Sequence, residues 1–277
     1  MKHWVIDNEV LIRLSFFTGI FFIVAVWELL APRRQLQFSK SRRWYSNIGI
    51  VIVNSLVIRW GVSLLPVSLA LLAQDRSWGL FNNIASPDVI RIIVSFLILD
   101  CVIYLQHIMF HAVPLLWRLH RMHHTDLDYD VTTGTRFHPL EIIISLGIKL
   151  GIITVIGPPA IVVVTFEVVL NLTAMFNHGN IFIPSGIDKI LRWLVVTPDM
   201  HRVHHSIDPK ETNSNFGFNF PWWDRLFGTY HAQPEKGHLE MTIGLNQFRD
   251  PQNLHLHHML IQPFIGAKED YPMEPHG

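Results

Sequence analysis

Histidines at helical spacing are the residues of this chain whose type and pattern could do chemistry. They form one HxxxH and two HxxHH patterns, which contain His107 and His111, then His120, His123 and His124, and lastly His201, His204 and His205. Residues three and four apart share a helix face, so each HxxHH is expected to present three ring nitrogens to one point. Neutral imidazole is the commonest metal ligand in proteins, and eight imidazoles exceed what one tetrahedral ion can use. The patterns therefore predict two metal ions bound close together.

The histidines outside these patterns are interpreted one by one. His178 follows a predicted apolar segment and is expected to be a ninth ligand. His138 precedes another such segment and is either a ligand, a hydrogen-bond partner of a ligand, or an interfacial structural residue. The others are expected at the surface or on an interfacial helix: His231, His238, His255, His257 and His258.

Carboxylates near the patterns are candidate partners of the ligands, because a ligating imidazole usually donates its second N–H to a carboxylate or a carbonyl. Asp100 and Tyr104 each lie seven residues before a histidine of the first pattern and share its helical face. Pairing of Asp100 with a neighbouring helix is the alternative. The remaining candidates are Asp126, Asp128 and Asp199.

Composition indicates what positions these residues. The 277-residue chain is 49% hydrophobic and only 16% charged, whereas about 25% is typical of soluble proteins. Apolar runs at 14–31, 48–72, 89–110, 142–156 and 160–176 approach or exceed the length of a membrane span. The Gly157-Pro158-Pro159 turn joins the last two runs into a hairpin. We therefore expect an all-α integral membrane bundle of four to five spans with a histidine-rich helical cap.

Charge predicts the orientation of this bundle. Five basic residues lie between the first two apolar runs, and they are Arg33, Arg34, Lys40, Arg42 and Arg43. Such residues are enriched in cytoplasmic loops. Counting spans from this loop places every histidine pattern on the cytoplasmic face of a multi-pass protein.

Two charges lie inside the predicted hairpin. Lys149 and Glu167 are each about nine residues from Pro158, so they are expected at similar depth in opposite helices. An ion pair is the leading interpretation, and a proton relay is the alternative.

The chain divides most simply into an N-terminal transmembrane region (1–88), a catalytic domain (89–265) and a flexible tail (266–277). The first apolar run lacks the basic flank and cleavage site of a signal peptide and is expected to be retained. The single cysteine, Cys101, excludes an intramolecular disulfide. Net charge is zero without a basic arm, which argues against nucleic acid as a partner.

Several metal chemistries are excluded by residues the chain lacks. One cysteine cannot build a zinc finger or an iron–sulfur cluster, and no HExxH supplies the general base of a zinc protease. A metal pair at the membrane surface suits O₂-dependent attack on an unactivated C–H bond of a lipid, which no side chain performs unaided. The electrons must come from outside, because no nucleotide-binding motif is present.

The ordered patterns, with a hairpin between the second and the third, resemble the sterol desaturase/fatty acid hydroxylase superfamily. The resemblance covers about 89–230 and includes the stretches RFHPLE at 136–141 and WDRLFGTY at 223–230. It implies an integral membrane non-haem di-iron oxidoreductase that uses O₂ to hydroxylate or desaturate a sterol, fatty acyl or ether lipid. Its iron ligands would be the eight patterned histidines together with His178.

The resemblance leaves three points open. Ile108 stands where many members have arginine, so the substrate subclass is undecided. The electron donor would be a separate ferredoxin or cytochrome b5-type reductase system. A non-catalytic membrane protein that binds metal or lipid is the alternative from another functional class.

Overall fold

The computed structural model describes residues 2–266 and shows a helical protein. Its α-helices are α1 (Lys2–Asp7), α2 (Glu9–Leu30), α3 (Lys40–Gly61), α4 (Pro66–Asp75), α5 (Asp88–Ala112), α6 (Pro114–His124), α7 (Pro139–Ile156), α8 (Ala160–Asn177), α9 (Ser185–Leu191), α10 (Pro198–His204), α11 (Pro209–Thr212), α12 (Trp222–Phe227), α13 (Gly237–Glu240) and α14 (Leu256–Ile261). Short 3₁₀ helices occupy Leu80–Asn82, Thr133–Thr135, Pro251–Leu254 and Gln262–Phe264. The all-α prediction is confirmed, whereas the predicted tail, apart from Gly266, lies outside the described residues.

Four helical segments of the described chain are long and apolar enough to cross a membrane: Glu9–Leu30, Lys40–Asn82, Pro139–Ile156 and Ala160–Asn177. Helix α5 corresponds to the third predicted span. Its 25 residues measure about 37 Å at 1.5 Å per residue, so its length suffices, and its crossing stays a prediction.

The second predicted span, 48–72, is not one continuous helix. Helix α3 ends at Gly61 and α4 begins at Pro66. Proline lacks an amide hydrogen and keeps the preceding residue extended, and Leu65 accordingly has φ −96° and ψ 159°. Helix α4 then packs against α7 and α8 instead of prolonging α3.

The predicted hairpin is present, and its turn lies at the end of the bundle away from the histidines. Helices α7 and α8 meet at Gly157, which has φ +60°. A Cβ on the facing Gly79 would lie 2.3 Å from the amide nitrogen of Gly157, so glycine permits this close approach. Within the hairpin, Lys149 pairs with Glu167, and Arg13 of α2 approaches the same carboxylate at 2.9 Å. The predicted ion pair between Lys149 and Glu167 is confirmed.

The opposite end carries the cap, and the basic loop between α2 and α3 is bound to it. Arg33 contacts Asp199 at 2.9 Å, and Arg34 donates to the carbonyl of Met241 at 3.0 Å. Arg42 is exposed. The loop that predicted the orientation therefore also holds cap segments together.

Arg43 is the buried centre of this attachment. Its guanidinium contacts Asp126 at 2.8 Å and Asp130 at 2.6 Å, and all three side chains are fully buried. The guanidinium holds the pKa of Asp126 well below its usual range. Because Asp126 follows the second histidine pattern by two residues, this pair fixes the end of α6 against α3.

Candidate metal centre

Nine buried histidines converge at the cap end of the bundle, and they form two groups. The five-histidine group contains His107, His111, His120, His124 and His204, and the four-histidine group contains His123, His178, His201 and His205. Within each group the candidate ligand atoms lie within 4.8 Å of one another. The structure thus brings all nine predicted residues together, while ligation itself stays a prediction.

Each HxxHH pattern is divided between the groups, so the expectation that it presents three nitrogens to one point is wrong. From α6, His120 and His124 join the five-histidine group while His123 joins the other. From α10, the i and i+4 residues His201 and His205 join the four-histidine group, with His204 on the opposite side. Residues i and i+4 are rotated by only about 40° on a helix, whereas i+3 and i+4 are about 100° apart.

The spacing of the ring nitrogens fits bound cations. The Nε2 atoms of His107 and His120 are 3.1 Å apart, and those of His123 and His178 are also 3.1 Å apart. Nitrogens at such distances match neighbouring ligands whose bonds of about 2.2 Å meet at right angles, which is close to ordinary metal–imidazole lengths.

The second ring nitrogens show which tautomer is present. The Nδ1–H of His107 donates to the Phe216 carbonyl at 2.8 Å, that of His178 to the Ala174 carbonyl at 2.7 Å, and that of His204 to the Ser214 carbonyl at 2.8 Å. Their Nε2 atoms therefore carry bare lone pairs. Among the described residues, Nε2 of His204 is buried without a hydrogen-bond partner, and a cation would satisfy it.

Glu141 is a further partner that sequence reasoning missed. Its Oε1 accepts the Nδ1–H of His120 at 2.7 Å, from the first turn of α7. A carboxylate in this position orients the ring and makes its Nε2 a stronger donor to a metal. The signal is the glutamate at the end of the RFHPLE stretch, which the sequence links to the resemblance but to no particular role.

Burial keeps the imidazoles neutral. Desolvation lowers the pKa of His120 and of His178 to about 3. The pKa values of the other patterned histidines on α6 and α10 lie well below the usual range for the same reason: His123, His124, His201, His204 and His205. Their lone pairs are thus available at physiological pH.

Aromatic side chains surround the imidazoles. Phe137 stacks on His123 with ring centroids 4.6 Å apart and planes 13° from parallel. Trp117 and Phe216 lie 4.8 Å and 5.0 Å from His111. These rings exclude water, which strengthens electrostatic interactions inside the site.

The carboxylates proposed as partners of the ligands bond elsewhere. Asp100 accepts from Trp223 Nε1 at 2.7 Å, because it lies two helical turns deeper than His107. The other predicted partners also have different contacts: Tyr104 with Thr229, Asp126 with Arg43, Asp128 with the amides of Gln37 and Phe38, and Asp199 with Arg33. The alternative for Asp100, pairing with a neighbouring helix, is the one observed.

Two other histidines have structural roles. His138 caps α7 by accepting from the Leu140 amide at 3.2 Å, and its Nε2 donates to the Leu260 carbonyl at 3.2 Å. The surface prediction for His238 is wrong, because its side chain is buried and its Nε2 donates to Gln233 at 2.9 Å. His257 is exposed.

Gly134 is the second residue that sequence reasoning missed. A Cβ at this position would lie 2.7 Å from the Ala174 carbonyl oxygen and 3.0 Å from Nδ1 of His178. These two atoms form the hydrogen bond that orients His178. Only glycine therefore lets the 3₁₀ turn pass against this imidazole.

Comparison with known proteins identifies the same part of the chain as the histidine site. The fatty acid hydroxylase family matches residues 92–229, which contain all nine histidines. Over 233 residues the chain is 25% identical to the ornithine lipid hydroxylase OlsE of Rhizobium tropici, a match that covers 80% of this chain and 67% of that protein.

Two further relatives match over a smaller share of both chains. The alkylglycerol monooxygenase of Xenopus tropicalis is 31% identical over 169 residues, which are 61% of this chain and 36% of that protein. The cholesterol 25-hydroxylase of Homo sapiens is 25% identical over 143 residues, half of each chain. No solved structure matches at a significant level.

Proposed function

Because this chain belongs to the sterol desaturase/fatty acid hydroxylase superfamily, we propose that it is a membrane-bound di-iron oxygenase that hydroxylates a lipid. The observation that carries this proposal is the pair of buried imidazole groups at one end of apolar helices. Relatives named as hydroxylases or monooxygenases favour oxygen insertion over desaturation.

The residues fit two metal ions. The five-histidine group is too large for tetrahedral coordination, so it favours a metal that accepts more ligands, as iron does. When bound, the iron pair would supply the O₂ chemistry that side chains lack. Hydroxylation consumes O₂, two electrons and two protons and releases water, so a ferredoxin or cytochrome b5-type system is the proposed electron donor.

The side chains and backbone of the protein orient the imidazole ligands and keep water out of the site. Glu141 fixes the ring of His120, and backbone carbonyls fix three more imidazoles. The aromatic rings around the site keep water away from the reacting carbon. A lipid that stays in the bilayer can approach a site held at the ends of spanning helices.

The test is turnover under ¹⁸O₂ by the full chain, purified with iron and reconstituted in lipid vesicles. The vesicles contain ornithine lipid, alkylglycerol or cholesterol together with a ferredoxin reducing system. We expect one lipid class to gain a hydroxyl that carries the heavy isotope. His204→Ala should abolish the product, whereas His257→Ala should not, because that ring is exposed. Full iron content without any oxidised lipid would favour the non-catalytic metal- or lipid-binding alternative.

The cytoplasmic location of the centre is also a proposal, supported by the basic loop between α2 and α3. Arg42 follows that loop in the first turn of α3, and its side chain is exposed. In a Cys101→Ser background, Arg42→Cys should react with a membrane-impermeant maleimide only after the cell membrane is opened. Labelling of intact cells would place the centre on the other face.

A further inference from the structure

The segment 216–227, which ends with helix α12, is rich in aromatic residues but is far too short to cross a membrane. It reads FGFNFPWWDRLF, and nothing in its hydropathy predicts a span. The last apolar run of the described chain ends before it, at α8. Its location in the fold is therefore unexpected.

This segment lies beside α5, deeper in the bundle than the histidines. Trp223 donates to Asp100, and the Phe220 ring packs 6.0 Å from Phe96. Asp100 and Phe96 precede His107 by seven and eleven residues, which correspond to about 10 and 16 Å along the helix. The segment thus runs from the cap back along the proposed spanning region.

Helix α8 forms the other wall of this insertion. Thr173 bonds to Asn219, and Asn177 donates to the Phe218 carbonyl at 3.1 Å. Phe218 also packs against the apolar core that α4, α5, α7 and α8 share. The segment is therefore wedged among helices expected to lie in hydrocarbon.

The non-helical part of the segment has the polar contacts that a low-dielectric environment demands. Asp224 accepts the backbone amides of Phe216 and Gly217, each at 2.8 Å, and Asn219 O accepts the amide of Val196 at 3.0 Å. Pro221 has no amide hydrogen to satisfy. Irregular backbone is tolerated at membrane depth only where protein groups satisfy it in this way.

The outer side of α12 is apolar and uncovered, and it continues onto α9. The side chain of Leu226 is 68% exposed, and Trp193 and Leu194, which follow α9, are 61% and 60% exposed. The indole of Trp222 donates to the Trp193 carbonyl at 2.7 Å, which joins the two parts. The Arg225 guanidinium lies 4.0 Å from the Trp193 ring centroid. Tryptophan beside arginine is typical of membrane interfaces.

We propose that residues 187–194 and 216–227 form a re-entrant surface immersed in the lipid leaflet on the histidine side. Its occupants are the acyl chains of bilayer lipids. The surface is continuous with apolar helices that are expected to face lipid, and its contacts with Asp100 and Phe96 put it beside α5 at a depth where hydrocarbon is expected. Its inner end reaches the metal centre, since Phe216 and Phe218 lie 5.5 Å and 5.8 Å from His107. An apolar chain can therefore follow this surface to the site without leaving hydrocarbon.

The test is the depth of nitroxide labels, measured by power-saturation electron paramagnetic resonance on the full chain in phosphatidylcholine vesicles. Leu226→Cys and Leu194→Cys are made in a Cys101→Ser background. Leu239→Cys is the matched control, because its side chain is 60% exposed but its neighbours Lys236 and Glu240 are exposed polar residues. Bound metal per chain verifies that each variant is folded.

We expect the labels at 226 and 194 to collide readily with O₂ and about tenfold less than the 239 label with an aqueous nickel chelate, which hydrocarbon excludes. Equal access of the chelate to positions 226 and 239 would overturn the proposal. So would shielding of position 226 from both reagents, because that result indicates a protein partner on this surface. The measurement needs no turnover and is independent of the proposed activity.

Discussion

The two imidazole groups differ in how firmly their rings are held. In the five-histidine group, three Nδ1 atoms make hydrogen bonds of 2.7–2.8 Å, and one of these goes to the carboxylate of Glu141. In the four-histidine group, His178 makes a bond of this length, to a backbone carbonyl, while the Nδ1 atoms of His123, His201 and His205 have no hydrogen-bond partner among the described residues. Since oriented ligands bind metal more tightly, the five-histidine group should be the stronger site.

The two groups also differ in which helices contribute their histidines. Helices α6 and α10 contribute histidines to both groups, whereas α5 serves only the five-histidine group and His178 only the other. A displacement of the whole of α6 or α10 should therefore affect both metals, whereas loss of a single histidine should affect only the metal of its own group. A dimetal centre built in this way consists of two sites that share α6 and α10 but are expected to differ in metal affinity.

The largest effects are expected from removing one ligand of either group. The rings of His124 and His205 stack 4.6 Å apart, one in each group. His124→Ala and His205→Ala should each lose one metal per chain and lower the turnover at least about 100-fold, because both metals are needed. Elemental analysis and turnover check this. Loss of both metals from either variant would mean that the groups are one cooperative site.

A smaller loss of metal affinity is expected from replacing Glu141, the carboxylate that hydrogen-bonds to His120 in the five-histidine group. Glu141→Ala should weaken metal binding there by about 10- to 100-fold, measured by chelator titration of the loaded protein. Glu141→Gln keeps an oxygen that accepts from His120, so it should restore most of the affinity. If glutamine is as harmful as alanine, charge and not orientation is what the residue supplies.

The corresponding change in the four-histidine group is Gly134→Ala. The added methyl must displace the Ala174 carbonyl or His178, so we expect about tenfold weaker metal binding at this group, in the range for disturbed ligand partners. Gly147→Ala is the control, since a Cβ there meets nothing within 4 Å. Weakening of the five-histidine group instead would contradict the assignment.

The smallest effect on metal content and turnover is expected from replacing Lys149, which lies in the hairpin far from both histidine groups. Lys149→Met removes one cation from Glu167, but Arg13 remains 2.9 Å from that carboxylate. Metal content and turnover should change by less than about twofold, because an ion pair that only neutralises charge in lipid takes no part in the reaction. A turnover loss that Lys149→Arg fails to rescue would revive the proton relay, because arginine keeps the charge but cannot release a proton.

Much of the architecture followed from local signals. Hydropathy predicted the helices, and the Gly-Pro-Pro turn predicted the hairpin, because both depend on residues close in sequence. The break between Gly61 and Pro66 was missed since apolar composition alone ignores proline. The position of residues 216–227 between α5 and α8 was missed because it depends on contacts with Asp100 and Asn177, which belong to those helices.

The spacing of the histidines, by itself, determined that each pattern offers imidazoles from one short helical stretch. Which imidazole joins which group was decided only by tertiary structure. His123 and His124 point about 100° apart on α6, so local geometry allows two metals on different sides of the helix. The positions of α5, α10 and the end of α8 select those sides, and they also bring Glu141 and Gly134 to rings that lie far from them in sequence.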